Sequence, residues 1–589
     1  KALRKLQNDL FSRERLPTTL NKNDILSLSR RFAWSSDVHQ KLLTLANKAL
    51  WAGRPESALR SFQELFSHTE KPELKDLAQT GLWTALKMIG AIDEIEASAG
   101  MLDPGKSFPW MGKMAKAADI RRELLKVRKP SPEIVAPALA SLSQRVLQLP
   151  PVSPWPTDTP AVGFGIDLQV EGTQVIASGR NLLVSYDIRN AGAPLWSQLQ
   201  RHPVEHHRRT GFHPGYFRPL VRDGIIYTRW GLNSLPDGIA AFSADGGRPL
   251  WAYAYERGSS QFSKGVPMGD PVAADGSLFY LQWHTPGDVT DRNRTISLIS
   301  FDPEAQKPRW SADLVSSGRA VDMAGSIQKS SPQNTLYGNS VTVHRGAVYC
   351  NTNAGMIIRC DIRDGQVDWT HNYRRQDSSL VSENLGSHPI ISGNNVICMP
   401  RDDGRIFALD QETGLLVWDN PLVVGTEVIG VYEDILIVRG AGVTAGLDVQ
   451  TGKARWFRPL PEGSLGRALL MENSIYVGSV SQLIRLDAET GQVLEQRPWR
   501  LGNARPLAFT VEDSQLFVIS DSPAADHRHH IGEPLTKVDE SSRALQLPLK
   551  RTWQLNRGNA RIVMPPASSN LRGSAYILSG GILESIKLS

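Results

Sequence analysis

Cysteine is scarce in this sequence. Among 589 residues only Cys350, Cys360 and Cys398 occur. No two form a C-x-x-C pair, so zinc-finger, c-type haem and thioredoxin chemistry have no support. Cys350 and Cys360 flank a tight turn in a register that does not set them opposite each other. All three read as small buried strand residues. No run of about 18 apolar residues is present, which excludes a membrane-spanning helix. A signal peptide is missing too. The chain starts at Lys1, inside what reads as helix, so a mature or trimmed form is expected. No Gly-rich phosphate loop, Ser/His/Asp order signature or nucleic-acid motif stands out, and nucleic acid is not an expected partner. The length exceeds one ordinary core, so two domains, or a repeat-built domain plus an extra, are expected.

The net charge is +6. Residues 1–150 hold 24 Lys and Arg against 16 Asp and Glu, an excess of 8, which leaves −2 for the remainder. The basic bias therefore belongs to the N-terminal part. It points to an acidic partner or an anionic surface, or else to a solvated helical face, and the spread of the charges favours the face.

Residues 1–148 read as helix. Apolar residues recur at three- and four-residue spacing in Leu42-Leu43-Leu45-Ala46-Ala49-Leu50 and in Leu59-Phe62-Leu65-Phe66. Between them, Gly53 ends one helix and Pro55 opens the next. The stretch from Ala46 to Phe66 resembles one tetratricopeptide-type helix pair. Ala58 there lets two helices approach, and Pro72 stands near the terminator position. Then Pro150, Pro151, Pro154, Pro156 and Pro160 fall within eleven residues, a stiff extended connector. The expected organisation is a helical segment at 1–149, a linker at 150–160 and a second domain at 161–589.

That second domain is built from a repeat. The best copy runs Ala408-Leu409-Asp410-Gln411-Glu412-Thr413-Gly414-Leu415-Leu416-Val417-Trp418, and the next runs from Gly446 through Asp448, Thr451 and Gly452 to Trp456. Asp361 and Gly365 lead to Trp369, while Asp487, Thr490 and Gly491 mark another copy. Degenerate units end at Trp196, Trp251 and Trp310, one is displaced to Trp499, and a last ends at Trp553. Asp and Thr side chains bond turn amides, and Gly supplies a left-handed position. Asp403-Gly404 adds a two-residue hairpin signal. Each unit is thus a meander of short antiparallel strands. Its terminal Trp wedges against the neighbouring sheet, so the units close into a ring.

The A-x-D-x-x-T-G-x-x-x-W pattern of Ala408–Trp418 resembles the tryptophan-docking motif of pyrroloquinoline-quinone-like repeat propellers. The resemblance covers about residues 161–589 and implies a mainly β fold. Eight candidate units favour eight blades over seven, behind an N-terminal α-helical, tetratricopeptide-like segment. The tail hairpin Ala575–Leu583 is expected to complete a sheet with strands near Val162–Val170. Helices ahead of a divergent propeller are also similar to proteins of planctomycete-type bacteria. Quinoprotein alcohol dehydrogenases share the fold. The resemblance implies that an active one carries an adjacent Cys-Cys disulfide over the quinone, Ca²⁺ on Glu, Asn and Asp, and a catalytic Asp base. This chain has no Cys-Cys pair, no C-x-x-C-H and no evident Ca²⁺ trio. It is more similar to the non-catalytic propeller lipoprotein of the outer-membrane barrel-assembly machinery, although the helical segment departs from that type.

The expected function is a scaffold that binds other proteins in a periplasmic or cell-envelope assembly, after export. Neither a cofactor nor catalytic residues are expected. The alternatives are a PQQ- and Ca²⁺-dependent alcohol or sugar dehydrogenase and an isolated propeller binding a small molecule. Two histidine-rich loops are minor metal candidates: His202, His206, His207 and His213 in one, His527, His529 and His530 in the other. The long loops Gly231–Gly238, His284–Arg294 and Asp521–Leu547 are candidates for partner contact. Trp196, Trp251, Trp310, Trp369, Trp418 and Trp456, with Asp361, Gly365, Asp410, Gly414, Asp448, Gly452, Asp487 and Gly491, are structural docking and turn residues in this reading.

Overall fold

The computed structural model describes residues 20–148 except 101 and 126–135. It also describes residues 166–520, except 180–181, 190–193, 200–217, 231–237, 254–264, 285–293, 318–339, 375–386, 421–424, 461–463, 501–505 and a few single turn positions. Beyond these it describes the strands at 561–563, 574–579 and 582–587. All seven histidines of the two metal-candidate loops lie outside the described residues, as do the linker 150–160, Gly404, Trp553 and the interior of the three long loops.

Residues 166–498 fold into seven consecutive four-stranded antiparallel sheets, each a simple meander. They are blade 1 (166–199), blade 2 (220–253), blade 3 (265–317), blade 4 (340–372), blade 5 (390–420), blade 6 (425–459) and blade 7 (464–498). The chain is an eight-bladed β-propeller with an N-terminal helical segment. The first strands lie innermost and pack on one another between blades, as in Gly265–Ala274 against Ser340–His344 and Ser464–Met471 against Pro506–Glu512. Blade 8 is assembled from Pro506–Glu512 and Gln515–Ser520. Its third strand is Ser143–Gln148, which runs parallel to Gln515–Ser520. Blade 8 packs on blade 1 and closes the ring.

Two expectations need correction here. The tail strands Ser574–Ser579 and Ile582–Lys587 pair with each other and with Arg561–Val563, not with the strand near Val170. Blade 1 already has four strands of its own, so its sheet leaves no place for the tail. Likewise, residues 1–148 are not helical throughout. Ser107–Trp110 and Lys113–Lys116 form a hairpin, and Ser143–Gln148 is the strand lent to blade 8. Short apolar runs such as Val146-Leu147 are compatible with either period, and only the partner strand decides.

The repeat's turns explain how blades meet. In blade 5 Asp410 Oδ1 accepts from Thr413 N at 2.8 Å and from Thr413 Oγ1 at 2.7 Å. Asp448–Thr451 and Asp487–Thr490 repeat this arrangement in blades 6 and 7. The outer-strand Trp of one blade then lies on the turn of the next. Trp369 Nε1 donates to Gln411 O at 3.1 Å, Trp418 to Val449 O at 2.8 Å and Trp456 to Ala488 O at 3.3 Å. The turn glycines serve twice. Gly452 has φ +67°, and a Cβ there would stand 2.3 Å from the Trp418 ring. Position 452 thus needs both a left-handed backbone and no side chain. Trp196 contacts Gly247 and Trp310 contacts Gly365 in the same way, while Trp251 packs on Phe301 at 5.5 Å. Trp418 is buried and the other five docking tryptophans are half-buried. Trp499 instead donates to Ser479 O within blade 7 and meets Phe509 of blade 8. The three cysteines are free and buried, and Cys350 pairs with Ile358 rather than with Cys360.

The N-terminal helices are α1 (Lys22–Arg31), α2 (Ser36–Trp51), α3 (Pro55–His68), α4 (Pro72–Met88), α5 (Ile92–Gly100) and α6 (Ala117–Leu125). Gly53 takes φ +67° between α2 and α3, and Pro55 opens α3. Ala58 is fully buried, and Phe62 lies so close to Gly81 of α4 that a Cβ there would be 2.4 Å from its ring. Pro72 opens α4 rather than closing a unit.

Candidate functional site

In a four-stranded meander, the turns between strands one and two and between strands three and four share one face of the ring. The helical segment covers that face at blades 3 and 4. Asp275, in the first turn of blade 3, accepts from Glu56 N at 2.8 Å and from Ser57 N at 2.7 Å. The propeller thus supplies the N-terminal cap of α3, satisfying helix amides that have no partner within the helix. Glu56 in turn accepts from Gly346 N at 2.6 Å in the first turn of blade 4. A Cβ on Gly346 would lie 2.5 Å from Arg60 Cβ, so α3 sits flush on this turn.

The second turn of blade 4 carries the charge lock. Arg363 is buried and donates to Asp361 at 2.6 Å, to Glu64 Oε2 at 2.8 Å and to Ser61 Oγ at 3.1 Å. Asp361 also receives Arg30 at 3.0 Å. Arg30 binds Asp364 at 2.7 Å, Arg60 binds Asp368 at 3.0 Å, Arg345 binds Glu94 at 2.7 Å, and Lys22 donates to Arg363 O. Part of the N-terminal positive excess is therefore consumed inside the chain. The expectation of a solvated face fails for Arg30 and Arg60, and the helix pair is docked rather than wholly free. Blades 5, 6 and 7 read Asp-x-x-Thr-Gly, whereas blade 4 reads Asp361-Ile362-Arg363-Asp364-Gly365. Without the Thr hydroxyl, Asp361 binds an arginine that faces the helices. This departure from the repeat is the sequence signal for the docking site.

These carboxylates respond to pH in opposite directions. Burial pushes Glu56 up to about 7, with Asp275 and Glu94 adding to the rise and the Gly346 N–H and Arg345 opposing it. Asp275 is also raised by burial, against its bonds from Ser57 and Glu56. Asp361 is held well below its ordinary value, because Arg363 and Arg60 outweigh the effect of burial. A raised carboxyl binds protons more tightly folded than unfolded, so stability declines as pH rises from about 4.5 to 7. A depressed one loses its contribution as pH falls below 3.8. Urea midpoints are thus expected to rise from pH 8 to about 5 and to fall again below about 4. Glu56→Gln should flatten the neutral limb, and an unchanged slope in that variant would refute the assignment.

A second cluster lies at the axis. Asp270, on the inner strand of blade 3, accepts from Arg218 N at 2.6 Å and faces His388 Nε2 at 3.2 Å. His388 Nδ1 faces Val341 O of blade 4 at 2.9 Å. Burial opposes the charge on Asp270, but His388, Arg467 of blade 7 and the Arg218 amide outweigh it and hold the carboxyl below its ordinary value. On blade 6, Glu427 pairs with the buried Arg439 at 2.6 Å and accepts from Ala468 N at 3.3 Å. Burial lowers the Arg439 pKa, and Arg467 adds to this against Glu427.

A family model described as outer membrane protein assembly factor BamB matches residues 236–497 and 402–528. The chain is a pyrroloquinoline-quinone-like repeat propeller. It is related both to BamB and to quinoprotein dehydrogenases. A quinoprotein ethanol dehydrogenase of Pseudomonas putida is 23% identical over 206 residues, covering 31% of this chain and 32% of that protein. BamB of Alkalilimnicola ehrlichii is 26% identical over 137 residues, covering 21% of this chain and 34% of that protein. The chain thus spans about a third of the length of these relatives. Among solved structures, BamB from Moraxella catarrhalis aligns with TM-score 0.40 and 14% identity, over 59% of this propeller chain and 91% of that one. Quinohemoprotein alcohol dehydrogenase from Comamonas testosteroni aligns with TM-score 0.41 and 12% identity, over 61% and 70%.

Calcium takes six to eight oxygen ligands. In this propeller Asp270 is engaged by the His388 imidazole and the Arg218 backbone N–H, and Glu427 by the Arg439 guanidinium and the Ala468 backbone N–H. That donor set does not fit a divalent cation. Among the described residues no group of three or more His, Cys, Asp and Glu could hold a metal ion.

Proposed function

We propose that this propeller is a non-catalytic scaffold that binds other proteins in a cell-envelope assembly. The observation that carries this reading is the closed axial cluster. A general base needs a free carboxylate with a pKa near the working pH. Asp270 is bonded on both oxygens and its pKa is lowered, and Glu427 is neutralised by Arg439. The docking tryptophans and turn glycines serve structure in this reading. The names of the BamB relatives, outer membrane protein assembly factors, support an envelope location and protein partners for this chain.

The rival reading is a quinone-dependent dehydrogenase, the activity in the names of other relatives. Protein purified from its natural source is expected to show no quinone absorbance. Adding PQQ and Ca²⁺ should produce no dye-linked alcohol oxidation. A stoichiometric quinone band, or turnover lost in Asp270→Asn, would overturn the scaffold reading. Gentle low-salt extraction should recover the chain in a complex larger than the monomer. Recovery as a lone monomer would instead favour a propeller that binds a small ligand.

A further inference from the structure

The hairpin Ser107–Lys116 has two unlike ends. Its base is fixed in the helical core, with Phe108 edge-on to Trp83 at 5.3 Å and Trp110 Nε1 donating to Glu123 at 3.1 Å. Its tip is apolar and bare, since Met111 is 78% exposed and Met114 is 63% exposed. The tip is the two-residue turn Met111-Gly112, with φ of +49° and +78°. Such turns favour Asn or Asp before Gly, because a larger side chain is strained in the left-handed region. The other described non-glycine residues with positive φ are Asp223, Asp275, Gln306, Arg345, Asn353, Glu433 and Glu472, all polar. Met111 is the one apolar residue among them. Stability therefore gains nothing from Met at this place, and a strained exposed side chain points to a use outside the fold.

The charge around the tip agrees. Residues 106–125 hold five Lys and Arg against two Asp and Glu, a local +3. Lys113, Lys116, Arg121 and Arg122 are exposed. Lys106 pairs with Asp76 at 2.8 Å, and Arg122 reaches Asp119 at 3.2 Å. Lys116 and Met114 occupy the solvent face of the hairpin, where they pair with Ser107 and Pro109.

We propose that this hairpin is a membrane-surface contact, placing Met111 and Met114 at the headgroup boundary of an anionic bilayer while Lys113, Lys116, Arg121 and Arg122 meet lipid phosphates. An apolar tip with a basic surround is the composition that interfacial anchors use, whereas charge alone is enough for an acidic protein. The rigid base lets the tip bind without ordering a loop first.

The test is cosedimentation of the full chain with phosphatidylcholine vesicles, with and without phosphatidylglycerol, at low and high salt. Binding is expected only with the anionic lipid and should weaken with salt. Lys113→Glu with Lys116→Glu should reduce the partition coefficient about tenfold or more. Met111→Asn with Met114→Ser should reduce it about fivefold. Met111→Asn alone should also bind less without lowering the thermal midpoint, because Asn-Gly suits the turn, and a purely structural Met would not show that split. Unchanged sedimentation in both double variants would overturn the proposal. So would capture by immobilised polyglutamate without any vesicle binding, the result expected of a site for acidic protein.

Discussion

Arg363→Met is expected to destabilise the docked chain by about 3 kcal/mol, the lower end of what breaking a buried ion pair costs. The guanidinium makes bonds to Asp361, Ser61 and Glu64 from a buried position. Removing it leaves Asp361 buried with Arg30 at 3.0 Å, Arg60 at 3.7 Å and the backbone N–H of residue 363 at 2.8 Å, and leaves Glu64 facing an apolar side chain. Those two remaining arginines place the cost at the low end. The loss should show as a lower urea midpoint and as earlier proteolysis between the helices and the propeller. Adding Asp361→Asn should restore part of the stability, because it removes the uncompensated charge. An Arg363→Met chain as stable as the parent would mean that the charge lock contributes nothing to docking.

Trp418→Ala is expected to cost about 3–5 kcal/mol, as a large-to-small change in a packed core. The ring is 7% exposed, lies against Gly452, and donates its N–H to Val449 O at 2.8 Å. Its removal opens a void between blades 5 and 6 and leaves the Val449 carbonyl with the longer bond from Asn395 Nδ2 at 3.4 Å. Gly452→Ala attacks the same contact from the other side, by strain and collision together. Trp456→Ala should cost less, since that ring is half-buried and its bond is longer, at 3.3 Å. Equal costs for the two tryptophans in urea denaturation would contradict a burial-ranked dock.

The legible part of the site followed the repeat. Wherever Asp, Thr, Gly and Trp kept their spacing, as in Asp410–Trp418, the turn and its inter-blade contact could be read residue by residue. The helix boundary at Gly53 and Pro55 was legible for the same reason, since both residues restrict the backbone locally. Asp275, Arg363, Asp270 and Glu427 were not legible. Asp275, Asp270 and Arg363 meet partners far along the chain, as Asp275 does with Glu56, and Glu427 meets Arg439 on the facing strand of its own blade; no local pattern encodes a partner on another blade, a helix or a facing strand. His202 and the other loop histidines are candidates because they cluster in sequence, and they lie outside the described residues.

By itself the sequence determined the repeat unit, its turns and the helical start, and favoured eight blades over seven, because each rests on the φ preference of Gly, the short reach of an Asp or Thr side chain, or the period of apolar residues. Only the tertiary structure decided which strand completes blade 8, where the helices dock, and which charges the axis neutralises. Those are choices among chemically similar partners, and burial settles them: a charge removed from water must meet its counter-charge, and an open sheet edge must meet a strand, whatever the distance along the chain.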